Sequence, residues 1–362
     1  MRHALVLAGG SGTRLWPFST AALPKQLVPL LQGSSLLDVA VERATSVVPA
    51  AQVWLGAGEQ LREAVSSVEG LQADRLVVEP SGRDTLAAVA LGCAVIAAAD
   101  PEAVVAVLTA DHLIEPLEEF ATTLDAAFAL AEARDDALVT FGVVPDHAAT
   151  GFGYLELGGP LELGASTVTT FQEKPSRSVA EDFLAAGPQR YLWNSGMFVW
   201  RAATLLQAVD AFVPQSAALL RQMGQAYGTP AWDELARDGW PTVARTSIDY
   251  GVMEPASTSP AFTVAALPLA ARWLDVGSWP AYGTALEADA EGNQVGAARA
   301  VLHASRGNVV ASSDPDHLVA LVGCEGLVVV HTPTATLVMP AAEAQRVKEL
   351  HARVVEVAPE LA

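Results

Sequence analysis

Lysine is nearly absent from this chain of 362 residues: Lys25, Lys174 and Lys348 stand against eighteen arginines. Acids outnumber cations 41 to 21, for a formal charge of −20. Such a field argues against a nucleic-acid groove, and any anionic substrate must be held by a local cluster of cations and backbone dipoles. Cysteine is scarce too. Cys93 and Cys324 lack spaced Cys or His partners, which suggests neither a zinc motif nor a disulfide framework, and both read as small core residues. No apolar run approaches the ~18 residues of a bilayer span, and strand pattern begins at once without a basic leader, so a cytoplasmic protein is expected. Apolar residues are plentiful, at 51%, enough for a sizeable core and for two or three domains.

Short Val/Leu-rich runs near 2–8, 51–56, 74–79, 103–109 and 136–143 alternate with helical patterns near 35–47, 84–99 and 117–133. This rhythm predicts an α/β fold with a Rossmann-like, mostly parallel sheet, whose ligands bind beyond the carboxyl ends of the strands. After residue 290 the texture changes to short β-branched runs spaced by Gly, Asn and Asp, with an amphipathic end near 341–355. We therefore expect two domains, 1–290 and 291–362, the second a small β-helix-like module.

The first strand breaks into Ala8-Gly9-Gly10-Ser11-Gly12-Thr13-Arg14, followed by Pro24-Lys25. Glycines with flanking cations can wrap N–H groups and charge around phosphates, although glycines also serve ordinary turns. Glu79-Pro80-Ser81-Gly82-Arg83 follows the third strand and Asp111-His112 the fourth, so all three loops should face one crevice. Arg83 could meet a phosphate at the start of the helix that Asp84 caps. Asp111 and Asp275 are candidate Mg²⁺ ligands, since that ion takes one or two carboxylates and fills its shell with water and phosphate oxygens; each could also be a turn or cap residue. Glu173 and Lys174 stand at a strand end, where they could serve a sugar hydroxyl and a phosphate, or form a solvent-exposed pair. Alternation along a continuing strand would point them at different groups. Asn194 and Ser195, before Gly196, could offer further hydrogen bonds to a polyol. His112 does not read as a general base, because a sugar phosphate is already mostly dianionic at neutral pH.

In this order, the runs GGSGTRLWPFSTAALPKQ, FQEKP, WNSGMF, SIDYGVME and DVGSW resemble the sugar nucleotidyltransferases, most closely the short mannose-1-phosphate guanylyltransferases. The tail around Val328–Pro333 is similar to that family's small left-handed β-helix domain. The resemblance implies transfer of GMP from GTP to mannose 1-phosphate with Mg²⁺ on Asp111 and Asp275. It puts Ala8, Gly9, Gly10, Gly12, Thr13, Glu79, Arg83 and Asp111 at the nucleotide, and Arg14 and Lys25 on its phosphates. Glu173, Lys174, Asn194, Gly196 and Asp249 fall on the sugar-phosphate side, and a homodimer is a possible assembly. The chain departs from the family pattern at Asp84, where asparagine is common, and at Thr109-Ala110, where a Pro-Ser pair is common. The rivals are a transferase for another sugar phosphate or base, a non-catalytic sugar-nucleotide-binding protein, and an NAD oxidoreductase, which the missing Gly-x-Gly-x-x-Gly spacing disfavours.

Overall fold

The computed structural model of the chain describes residues 1–10, 12–20, 23–30, 33–65, 71–296 and 298–361; Ser11 of the glycine-rich run lies outside them. In chain order the strands are β1 (Arg2–Ala8), β2 (Val53–Gly58), β3 (Leu76–Glu79), β4 (Val104–Thr109), β5 (His112–Glu115), β6 (Ala137–Val143), β7 (Tyr154–Pro160), β8 (Ser166–Gln172) and β9 (Tyr191–Arg201). They continue with β10 (Thr263–Pro268), β11 (Arg272–Asp275), β12 (Gln294–Gly296), β13 (Arg299–His303), β14 (Val309–Ser312), β15 (Leu318–Val322), β16 (Leu327–His331) and β17 (Thr336–Pro340). Helices at Leu36–Thr45, Asp84–Ala99 and Leu117–Ala133 complete the expected rhythm. Contacts divide the chain into two compact units, Met1–Gly9 with Val41–Thr109 and Ile114–Arg272, and Gly10–Ala40 with Ala110–Leu113 and Trp273–Ala362.

In the first unit a nine-stranded sheet runs β3-β2-β1-β4-β9-β6-β10-β8-β7. β3, β2, β1 and β4 are mutually parallel, and β9 lies antiparallel between β4 and β6. The chain leaves β1 on one side for β2 and β3 and returns on the other as β4, so strand order reverses between β1 and β4. That is where open α/β sheets place a ligand, and Gly9 and Thr109 stand at those two strand ends. The helix Asp84–Ala99 buries Leu86, Val89, Leu91, Cys93 and Ile96 against this sheet. A side chain at Gly92 would begin 2.4 Å from Leu5, so the helix can approach this closely only with glycine there. Arg43 is fully enclosed; its Nη2 donates to the carbonyl of Thr109 at 2.6 Å, which fixes the end of β4.

In the second unit β12, β14 and β16 stack in parallel and β13 lies parallel to β15, with Val309 opposite both Gln294 and Val328. This is the expected β-helix-like build, ended by the helix Val347–Val357. Asn308, wholly buried, joins successive turns: its Nδ2 donates to Asn293 Oδ1 (2.9 Å), and its Oδ1 accepts from Leu327 N (2.9 Å). Buried amides need such partners. The unit's core combines Leu15, Trp16 and Phe18 with Val276, Trp279, Val309 and Val328. Trp279 Nε1 donates to the Trp16 carbonyl at 3.0 Å, and Phe18 meets the Trp279 ring edge-on. Two motifs far apart in sequence are therefore anchored in one core. One expectation fails: Cys324 is half-exposed rather than a core residue, because β15 ends at Val322 and Cys324 falls in the turn that follows. Among the described residues no helix is long and apolar enough to cross a membrane.

Candidate active site

In the second unit, Gly10 (φ +97°) and Gly12 (φ +60°) take left-handed conformations that favour glycine. Gly12 is constrained twice, since a Cβ there would lie 2.6 Å from the Lys25 Cβ. The glycine turn thus packs on the stem of Lys25. Lys25 is buried, and its Nζ donates to Asp111 Oδ2 at 2.6 Å. Burial opposes ionisation of Asp111, but His112 and Lys25 overcome it and hold the carboxyl below its ordinary value.

Trp273 Nε1, which can only donate, points at His112 Nδ1 (3.1 Å), so Nδ1 is the acceptor and a neutral ring carries its proton on Nε2. That nitrogen lies 3.6 Å from Asp111 Oδ1. The His112 ring is thereby turned towards Asp111. The Asp111 carbonyl accepts from Val276 N at 3.3 Å, which brings the residue after Asp275 alongside. The Asp275 carboxylate is partly buried and has no hydrogen-bond or ion-pair partner among the described residues; Gly277 leaves it room, since a Cβ there would come within 3.0 Å. The backbone bond between Val276 and Asp111 sets the two aspartates on adjacent segments, and two carboxylates are hard-oxygen donors of the kind a magnesium ion takes.

The first unit gathers a second cluster. β8 ends at Gln172, and Lys174 adopts φ +45°, so the expected alternation breaks. Instead Lys174 Nζ turns back onto Glu173 Oε1 at 2.9 Å. Partial burial opposes the Lys174 charge, and the Glu173 carboxylate outweighs it, leaving the ammonium above its ordinary value. Glu173 is itself buried, its N–H donates to Glu254 Oε1 (2.7 Å), and a Cβ at Gly153 would lie 2.6 Å from its Oε2. Asn194 donates through Nδ2 to Asp249 Oδ1 (3.0 Å) and accepts through Oδ1 from the Thr140 hydroxyl (2.8 Å). Gly196 (φ +72°) sits within β9. Glu254, Gly153 and Thr140 carried no sequence signal beyond Glu254's place in SIDYGVME.

Burial first, and the Glu173 charge second, push the Asp249 carboxyl up to about 7. Because this exceeds its ordinary 3.8, the folded chain retains a proton there that the unfolded chain has lost, and the contribution to stability fades as pH rises from 3.8 towards and through about 7. Asp249→Asn should therefore gain stability relative to wild type at pH 8 but not at pH 4, by up to ~1.4 kcal/mol for each tenfold change in proton affinity. Urea midpoints at the two pH values measure this, and an equal difference at both would contradict it.

The remaining candidates stand apart from these contacts. Arg83 donates to the carbonyls of Pro241 and Val243 (3.3 Å for Val243), so its guanidinium anchors that segment. Asp84 takes φ +67° and holds the Thr85 N–H at the helix start. Glu79, at the end of β3, is pushed up to about 7 by burial. Arg14 is exposed and donates to Gln345 Oε1 at 3.2 Å. Ala8 is buried as the last residue of β1, with Gly9 open beyond it, and Thr13 begins the short 3₁₀ turn that carries Arg14.

Residues 3–292 match the nucleotidyl transferase family and residues 298–354 a mannose-phosphate isomerase/GMP-like β-helix domain. The chain belongs to the nucleotidyl transferase family, whose members generally act with a divalent metal. Within it, the chain falls with the bacterial mannose-1-phosphate guanylyltransferases. It is 33% identical over 362 residues to the mannose-1-phosphate guanylyltransferase of Escherichia coli K12, covering 96% of this chain and 72% of that one. It is 34% identical over 355 residues to the xanthan biosynthesis protein XanB of Xanthomonas campestris pv. campestris, with the same coverage. The solved structure of a mannose-1-phosphate geranyltransferase from Thermus thermophilus is similar over 98% of this chain and 99% of its own, with TM-score 0.85 and 32% identity.

Proposed function

We infer that the chain transfers GMP from GTP to α-D-mannose 1-phosphate, giving GDP-mannose and pyrophosphate. The observation that carries this reading is similarity to guanylyltransferases across 96% of the chain, through both the nucleotidyl transferase and the β-helix segments. In this reading a phosphate oxygen of mannose 1-phosphate bonds to the α-phosphorus of GTP, the bond from that phosphorus to the β-bridging oxygen breaks, and pyrophosphate leaves. The nucleophile is already ionised, so the chain needs to position anions and neutralise charge rather than remove a proton.

Ala8, Gly9, Gly10, Gly12 and Thr13 would bring backbone to the nucleotide, with Glu79 and Asp111 also serving it and Arg83 fixing the 241–243 segment. Lys25 and Arg14 would meet the phosphates. The Lys25–Asp111 contact would orient both side chains until phosphate takes the place of one of them. Asp111 and Asp275 would hold Mg²⁺, which when bound supplies positive charge to the phosphate oxygens. Glu173, Lys174, Asn194, Gly196 and Asp249 would hold the sugar phosphate. We place the enzyme in the cytoplasm, with residues 1–290 as catalytic domain and 291–362 as β-helix-like domain, able to pair as a homodimer.

A pyrophosphate-release assay over GTP, ATP and UTP with mannose 1-phosphate and glucose 1-phosphate tests the reading. The highest kcat/KM is expected for GTP with mannose 1-phosphate; a higher value for another pair would move the enzyme to a neighbouring specificity. Glu173→Gln keeps size but weakens acceptance of sugar hydroxyls. It should raise KM for mannose 1-phosphate about 10-fold or more with little change for GTP. A change confined to GTP would move this cluster to the nucleotide side.

A further inference from the structure

Two histidines and an aspartate outside both clusters converge on the β-helix-like stack. β14 and β16 pair in parallel with Ser312 opposite His331, and Ser313 N donates to the His331 carbonyl at 3.0 Å. The turn that follows β14 therefore sits over the end of β16. Within it, Ser312 Oγ accepts from Asp314 N (3.1 Å), Asp314 Oδ1 accepts from Asp316 N (3.0 Å), and His317 N donates to the Asp314 carbonyl (3.3 Å). His317 stacks on His331 with ring centroids 3.5 Å apart and planes 16° from parallel. One ligand atom from each of Asp314, His317 and His331 lies within 4.8 Å of the other two. His331 Nδ1 is 3.0 Å from Thr336 Oγ1 on β17, an outer contact of the kind that orients a ligating ring.

We propose that Asp314, His317 and His331 bind a divalent ion of the zinc class, with a water or an outside group in the remaining position. Two imidazoles and one carboxylate suit zinc, cobalt or nickel, whereas magnesium prefers oxygen ligands alone, so this donor set differs in kind from Asp111 with Asp275. Ligands on a tetrahedral zinc ion stand roughly 3.3–3.5 Å apart, given bond lengths near 2.1 Å. The exposed His317 ring must leave its stack on His331 for both imidazoles to turn a nitrogen towards one ion. The ion would clamp the turn after β14 to the end of β16 and so stabilise two successive levels of the stack, because a ligand that binds only the folded chain raises its stability.

The test uses the full chain, stripped with EDTA and desalted, titrated with Zn²⁺ against a chromophoric chelator, with Co²⁺ absorption and melting temperature as further readouts. We expect one zinc per chain, undisturbed by millimolar Mg²⁺, with a raised melting temperature. His317→Ala and His331→Ala should each weaken binding by more than about 10-fold and abolish the thermal shift, while His351→Ala, on the terminal helix, should change neither. His317 lies in an exposed turn, so its variant decides the matter even if the His331 variant folds poorly. No zinc binding to wild type, or equal binding by wild type and the His317 variant as expected of adventitious surface contacts, would overturn the proposal.

Discussion

Replacing either Asp111 or Asp275 with asparagine should lower turnover by about 10²- to 10³-fold, the scale on which deletion of a preorganised electrostatic group acts, and should shift the Mg²⁺ dependence to higher concentration. Asparagine keeps the shape of each side chain and removes only the charged oxygen. The two positions are far apart in sequence, yet the bond from Val276 N to the Asp111 carbonyl brings them side by side, and the Asp275 carboxylate has no partner of its own among the described residues. If both hold one ion, the double variant should be little worse than the worse single one, since groups that act as a unit lose their effect together. If they were turn and cap residues, each change would be nearly neutral, because Asn caps about as well as Asp. Activity titrated against Mg²⁺ for both single variants separates the two, and two unaltered curves would sink the shared-ion reading.

Lys25→Ala should cost about 10²-fold or more in turnover. In a chain of charge −20 with three lysines, a buried ammonium beneath the glycine turn has few substitutes. The contact between Gly12 and the Lys25 stem makes alanine a packing change as well as a charge change. Lys25→Met keeps most of the stem and separates the two effects. We expect Lys25→Met to melt near wild type and still lose turnover on the same scale, with KM for GTP raised. A folded Lys25→Met enzyme with wild-type turnover would remove Lys25 from the phosphates and leave it a structural partner of Asp111.

Five strands and three helices of the first 143 residues were legible because alternation and helical period are local signals, with bounds within two residues of those observed; the short strand His112–Glu115 and the short helix Arg62–Val65 were not. The change of texture after residue 290 likewise announced the parallel stack of β12, β14 and β16. What sequence spacing could not convey was which charges meet. Lys25 and Asp111 are 86 residues apart, and only the fold makes them partners. Glu173 and Lys174 were expected to diverge, and the left-handed backbone at Lys174 turned them together. Arg83 looked free for a phosphate until the 241–243 carbonyls were placed against it. Asp314, His317 and His331 follow no Cys/His spacing rule, since their proximity comes from the register of β14 against β16. The Trp273–His112–Asp111 chain was invisible for the same reason: a tryptophan two residues before Asp275 signals core, not the orientation of a histidine 161 residues away.

The most direct test of the whole account is ³¹P NMR of the purified chain mixed with GTP, mannose 1-phosphate and Mg²⁺. The account predicts that the GTP and mannose 1-phosphate signals fall together while those of GDP-mannose and pyrophosphate rise at the same rate, with no reaction when either substrate is omitted. Inorganic phosphate with GDP in place of those products, or GTP consumed without mannose 1-phosphate, would contradict it.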